Sequence, residues 1–492
     1  MTKVIPLLVL ICCMMAVSSE VNAQQNDFEK WKKGNSQEFK RYLSEQDKAF
    51  AGFLSQKWIK KTVTLDDIPS EKKIPKAPVA PKSPASPLAE PKQQKAKVKI
   101  TPNLPESKPQ SRNENLQEPP KVSSGQFIFS FLGHKLKMPK PKLEPLTVSR
   151  PNSDAIADAW VKMSQNHDNN LVEAIKLQAE GLNLDDWGRA ILTYDYLLQG
   201  LTPNLGNRTN SQLILHTWYY LVKQGLNVRV AYDEQSVYLL LNTNLPLYAQ
   251  KYFNLAGHKF YFVDFSGAEL PKLNKVYTYQ TQHEQGSAAL EIDLAKMPRL
   301  NRNNTQRQFS FDYQQRSYSL SVNYHIEYIE FLSKYPQLDV KHYFVTELNE
   351  TTKYSLLSPL SEMLKGRSEV DALNFLLRFV QKGLAYKTDD QQFNEENFMF
   401  TTEALHYPFA DCEDRSVLYS YLVKELLGNK IIGVLYKGHI ATAVKLSTDF
   451  NGANYKVAGE KFYIADPTYI GANLGDVMPG YESQSPRLIK VN

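Results

Sequence analysis

This 492-residue chain repeats itself. Gly257-His258-Lys259-Phe260-Tyr261-Phe262-Val263-Asp264 returns as Gly459-Glu460-Lys461-Phe462-Tyr463-Ile464-Ala465-Asp466, 202 residues later. Tyr220-Leu221-Val222-Lys223 returns as Tyr421-Leu422-Val423-Lys424, 201 residues later. Val230-Ala231-Tyr232 parallels Val434-Leu435-Tyr436 between those matches, and Gln126-Phe127-Ile128-Phe129 echoes Gln308-Phe309-Ser310-Phe311. Matches that keep their order at nearly constant separation predict two tandem units of one architecture, since the stretch from Ser124 onward exceeds one typical domain. Each unit reads as α+β: a leading hairpin, amphipathic helices, then an antiparallel sheet. Runs such as Ser317-Tyr318-Ser319-Leu320-Ser321-Val322 have strand character. The separation is only 183 at Gly200-Leu201 and Gly383-Leu384, so the second unit carries an insertion within Ala385–Asp411. That insertion is rich in Phe, Tyr and acidic residues and is expected to form one wall of a cleft.

Cys12, Cys13 and Cys412 are the cysteines, and the first two lie in a leader-like segment. A lone thiol makes no intramolecular disulfide, so Cys412 acts as a packed apolar group or as a nucleophile. Asp411 reads as a helix N-cap with Asp414 in the first turn, ahead of an apolar stripe of Val417, Leu418, Tyr421, Leu422 and Leu426. At such a terminus the free N–H groups and the dipole favour thiolate. Asp411, Glu413 and Asp414 work the other way, because nearby negative charge raises a thiol pKa.

A thiolate nucleophile needs a base and a group that orients the base. Two strand-like runs follow, Ile431–Val444 and Lys461–Tyr469; His439 opens a strand after the Lys437-Gly438 turn, and Asp466 closes the next. A lone strand histidine is ordinarily a satisfied core residue and Asp-Pro ordinarily a turn; their order behind Cys412 is what carries weight. Asp411–Ser416, Gly438–Val444 and Ala465–Tyr469 together resemble the transglutaminase-like superfamily, the papain-like Cys-His-Asp fold, and most closely its bacterial secreted members. The likeness covers roughly the last 180 residues. It implies that Cys412 is the nucleophile, His439 the general base and acid, and Asp466 the residue that orients the imidazole. Carried onto the first unit, the repeat puts Ser211, Gln235 and Asp264 at those positions, and glutamine takes no proton. The fold expected is therefore α+β, with two tandem transglutaminase-like units after an N-terminal helix and a Pro/Lys-rich linker.

Met1–Ala23 has the plan of a secretory signal peptide: Lys3, an apolar core from Val4 to Val17, and Val21-Asn22-Ala23 before the cut. Ile11 before Cys12 argues against lipid attachment. Export to the periplasm or beyond is expected, with one thiol kept in an oxidising compartment. Residues 24–62 carry Phe39, Leu43, Phe50, Phe53, Leu54 and Trp58 at helical spacing. Such a helix packs on its own protein or docks on an envelope or membrane-bound partner. Residues 63–123 read as a linker, because Pro69 to Lys121 has neither Gly nor aromatic residues and is dense in Pro and Lys. The inert unit then spans 124–300 and the catalytic unit 301–492.

The net charge of +6 is dispersed or lies in the linker, so nucleic-acid binding has no support. No metal cluster, phosphate loop or cofactor motif stands out. The activity expected is an exported cysteine hydrolase or acyl transferase on peptide or side-chain amide bonds, with a protein or peptide substrate. The Cys412 N–H and a side-chain donor from the insertion (Asn394, Asn397 or Tyr407) would hold the oxyanion. A non-catalytic scaffold is the competing class. A cell-wall peptidase with Cys-His order fits less well, since Cys412-Glu413-Asp414 replaces the Ser-Gly usual after that cysteine.

Overall fold

One strand order occurs twice. In the first sheet the central strands run β9-β5-β6-β8-β7, and in the second they run β16-β12-β13-β15-β14. In chain order these are β5 (Val228–Tyr232), β6 (Val237–Leu241), β7 (Lys251–Leu255), β8 (His258–Val263) and β9 (Lys275–Thr278), then β12 (Ile431–Tyr436), β13 (His439–Lys445), β14 (Asn454–Val457), β15 (Glu460–Ala465) and β16 (Arg487–Lys490). A hairpin leads each unit: β3 (Gln126–Phe131) with β4 (His134–Pro139), and β10 (Thr305–Tyr313) with β11 (Arg316–Tyr324). The computed structural model describes residues 44–65, 101–103 and 125–491, except 142, 144, 147, 149, 202–208, 269, 302–304 and 394–395. The leader Met1–Ala23 and most of the linker lie outside the described residues.

Between hairpin and sheet stand α2 (Ser153–Gln165), α3 (Asn169–Gly181), α4 (Asp186–Leu201) and α5 (Thr209–Lys223) in the first unit. The second has α6 (Ile326–Leu332), a 3-10 turn at Val340–Val345, α7 (Glu350–Leu364), α8 (Glu369–Gly383) and α11 (Cys412–Leu427). The insertion folds into two further short helices, α9 (Asp389–Gln392) and α10 (Thr401–His406), and so separates α8 from α11. The chain is α+β, as its sequence predicts.

The N-terminal segment departs from the expected boundaries. Helix α1 (residues 44–54) is followed by β1 (Ile59–Thr62), which pairs with β9, and β2 (Thr64–Leu65), which pairs with β7. One short segment thus borders both ends of the first sheet and closes it into a barrel around Ala231, Leu240, Phe253, Phe260 and Phe262. Phe50, Leu54 and Trp58 are buried in the first unit, with Phe50 edge-on to Trp160 at 4.8 Å. Asp47 forms a buried 2.6 Å ion pair with Lys223. Of the two readings of residues 24–61, the described part shows the first: the apolar side chains Phe50, Leu54 and Trp58 are covered by their own protein. Residues expected to begin the linker at 63 instead complete the barrel. The linker's other described piece, 101–103, lies on the second unit, where the Asn103 N–H donates to the Leu426 carbonyl at 2.9 Å.

The units share an apolar core in which Tyr343, Phe398, Phe400, Leu435 and Ile440 join Trp160, Trp187 and Trp218. Polar ties cross the same boundary. Tyr335 donates to Asp185 at 2.6 Å, and Lys334 pairs with Asp195 at 2.7 Å.

Candidate active site

Helix α11 begins at Cys412 because Asp411, with extended backbone, occupies the N-cap, and it ends at Gly428, whose φ of +67° is the left-handed geometry that stops a helix. The Asp411 N–H donates to Asp414 Oδ2 at 3.2 Å. Asp414 Oδ1 accepts from the Met399 N–H at 3.0 Å, so this carboxylate points into the insertion. The helix is buried on nearly every side, and its start rests on the start of β13. Ser416, one turn beyond Cys412, donates to the carbonyl of Ile440, the residue after His439, at 3.1 Å. Cys412 and His439 therefore stand at the same end of the helix–strand contact.

His439 takes its place through a two-residue turn. Tyr436 pairs with His439 across Lys437-Gly438, and Gly438 has φ +81°, which a side chain would strain. The His439 Nε2 lies 2.7 Å from Asp466 Oδ2, and each residue is 1 % exposed. Asp466 is fixed in turn. Its Oδ1 accepts from the N–H groups of Thr468 and Tyr469 at 2.9 and 3.1 Å. Gln381 of α8 donates to the Asp466 carbonyl at 2.9 Å. The other imidazole nitrogen, Nδ1, makes no hydrogen bond among the described residues. Tyr481 covers the ring at 5.0 Å between centroids, and both Cys412 and Asp466 act electrostatically on its phenol.

Not every link of the expected triad is closed. The Cys412 thiol, 2 % exposed, donates to Glu413 Oε2 at 2.9 Å. Glu413, which in the sequence is only a nearby negative charge, is the thiol's acceptor in the fold.

Around it the insertion gathers carboxylates. Asp389, Asp411 and Asp414 bring oxygens within 4.8 Å of one another, as do Asp389, Glu396 and Glu413. Burial, then the charges of Asp414 and Glu413, push the Asp389 carboxyl up to about 10. Burial followed by Glu413 and Asp414 holds Asp411 well above the ordinary range, and burial pushes Glu403 up to about 8. Such a cluster carries protons at neutral pH or takes a hard divalent cation, for which oxygen donors at this spacing are suited. No spacing motif announces it, because its members meet only once α9 folds against the start of α11.

Of the oxyanion donors named from sequence, Asn394 lies outside the described residues. The Asn397 Oδ1 is held by Gln337 at 2.9 Å, and the Tyr407 ring packs on Phe393 at 5.3 Å. His406 bonds the Tyr324 hydroxyl at 3.0 Å and does not compete as the base.

In the first unit, Tyr232 pairs with Val237 as Tyr436 pairs with His439. The turn there is longer and contains Gln235, so Val237, not Gln235, stands at the histidine's position. Asp264 keeps one local feature of Asp466: its Oδ1 accepts from the N–H two residues on, that of Ser266, at 2.8 Å.

No family model, no curated protein and no solved structure matches this chain.

Proposed function

We propose that the chain is an exported cysteine hydrolase or acyl transferase of transglutaminase-like type that acts on peptide or side-chain amide bonds, with amide hydrolysis as its main outcome. The observation that carries this reading is the buried His439–Asp466 pair, which leaves the imidazole Nδ1 unbonded beside the helix terminus that bears the chain's one mature thiol. Asp466 holds a proton on Nε2 and steadies the imidazolium, and Nδ1 takes the proton of Cys412 once the sulfur turns from Glu413. The thiolate attacks the carbonyl, His439 returns the proton to the departing amine, and a thioester remains. Water, deprotonated by the same imidazole, then releases the acid. Export follows from the leader-like Met1–Ala23. The test is alkylation of the mature protein by iodoacetamide across pH. Cys412 should react with a pKa below that of an ordinary thiol and at least tenfold more slowly in His439→Ala. An ordinary thiol pKa, indifferent to His439→Ala, would falsify this assignment.

A second reading, a non-catalytic scaffold, is favoured by one observation: the thiol is buried and already bonded to Glu413. It requires that Cys412→Ser leave every property of the protein intact, including processing of peptide mixtures.

A further inference from the structure

The insertion brings one phenol to the start of α11. Ala385 and Phe409 form a parallel bridge, and the Ala410 N–H donates to the Ala385 carbonyl at 3.0 Å, two residues before Cys412. Arg415 fastens the same two segments from beneath: its Nε donates to the Ala410 carbonyl at 3.2 Å and its Nη2 to the Leu384 carbonyl at 2.8 Å. The guanidinium then lies over the Tyr386 ring, 5.1 Å from its centroid. Tyr386 thus follows a fixed backbone bridge and has a buried cation over its ring. Yet it is only half-buried, and its hydroxyl makes no hydrogen bond among the described residues. Burial, then its closeness to Cys412, Asp411 and Glu413, holds this phenol well above the ordinary tyrosine range. No structural task within the fold accounts for that hydroxyl.

We propose that Tyr386 is the side-chain donor that, with the Cys412 backbone N–H, hydrogen-bonds the substrate's carbonyl oxygen as it becomes an oxyanion. The inference rests on the cysteine-hydrolase reading above. As the Cys412 Sγ–carbon bond forms, the carbonyl π pair moves to oxygen, and the phenol steadies that charge without giving up its proton. The C=O bond then reforms, the bond to the leaving group breaks, and an amine leaving group takes its proton from the His439 imidazolium. A donor locked before the reaction begins costs no reorganisation when charge develops. Asn394 lies outside the described residues, Asn397 is tied through its amide oxygen to Gln337, and the Tyr407 ring packs on Phe393; Tyr386 sits on the same wall, nearer the start of α11.

Two reagents separate this role from a merely structural one. Acylation by p-nitrophenyl acetate passes through an oxyanion and expels p-nitrophenolate. Alkylation by iodoacetamide attacks the same sulfur through a displacement with no oxyanion. The full mature chain and its Tyr386→Phe variant, which keeps the ring on Arg415, are compared with both. Acylation should fall about 10- to 100-fold in Tyr386→Phe, with the alkylation rate, its pH profile and the melting temperature unchanged. Equal acylation rates in the two proteins, or a parallel fall in both reactions, would overturn the role of Tyr386 while leaving the nucleophile in place. A wild-type thiol that reacts with neither reagent would overturn the cysteine-hydrolase reading, and this inference with it.

Discussion

The Ser211 hydroxyl accepts a hydrogen bond from the Val237 backbone N–H at 3.3 Å. That contact joins the first turns of α5 to the start of β6, as the Ser416–Ile440 contact joins α11 to β13. The first unit therefore keeps the helix-on-strand geometry of the second, with an unactivated hydroxyl and an aliphatic side chain where a thiol and an imidazole stand. Ser211→Ala should leave thiol alkylation and any amide hydrolysis within twofold of wild type. Loss of turnover in that variant would move the active centre to the first unit.

Asp466→Asn separates charge from geometry. The Oδ1 acceptor for Thr468 and Tyr469 survives, while the negative partner of His439 is lost. Turnover should fall about 10²- to 10⁴-fold with little change in the urea midpoint. A midpoint that collapses would show Asp466 to be a folding residue first.

Glu403 sets a pH dependence with a definite sign. Burial raises its carboxyl from 4.5 to about 8, so the folded state holds a proton that the unfolded chain has released. That contribution is complete below pH 4.5 and is lost as pH rises towards 8, because stability falls wherever the folded state binds more protons. Between pH 5 and 8 the melting temperature of wild type should therefore drop relative to Glu403→Gln, whose amide oxygen can still accept from the Phe400 N–H. Parallel curves for the two proteins would refute the assignment.

The α+β class and the plan of a leading hairpin, helices and an antiparallel sheet are legible in the sequence, since each element lies in a contiguous run of residues. The acid cluster and Gln381 are not: Asp389 meets Asp411, and Gln381 meets Asp466, only through tertiary packing. Constant separation aligns Gln235 with His439, and separation alone does not register that one hairpin turn is longer than its counterpart. Ile59-Lys60-Lys61-Thr62 is too short to declare itself a strand without its partner β9, so the sequence leaves residues 59–65 between helix and linker.

Asp47 and Lys223 test the place of α1. Removing one member of a buried pair leaves the other charged and desolvated, at a cost of about 3–5 kcal/mol. Asp47→Ala should lower the stability of the chain by roughly that amount in urea titration, and Asp47→Ala with Lys223→Met should recover part of it. A silent Asp47→Ala would show that α1 is not anchored there.

Closure of the first barrel also sets the order in which it can form. The strand made first, Ile59–Thr62, pairs with Lys275–Thr278, the last strand of that unit to leave the ribosome. Until then the barrel stays open on that side, even though Thr64–Leu65 can already pair with Lys251–Leu255, and a loop longer than the whole unit must be closed at the end, an entropic barrier that slows folding. The second unit has no such wait: its five strands come from one uninterrupted stretch. During synthesis, the half that carries the thiol can settle soon after it is made, while the first half depends on residues 59–65 having kept a free edge.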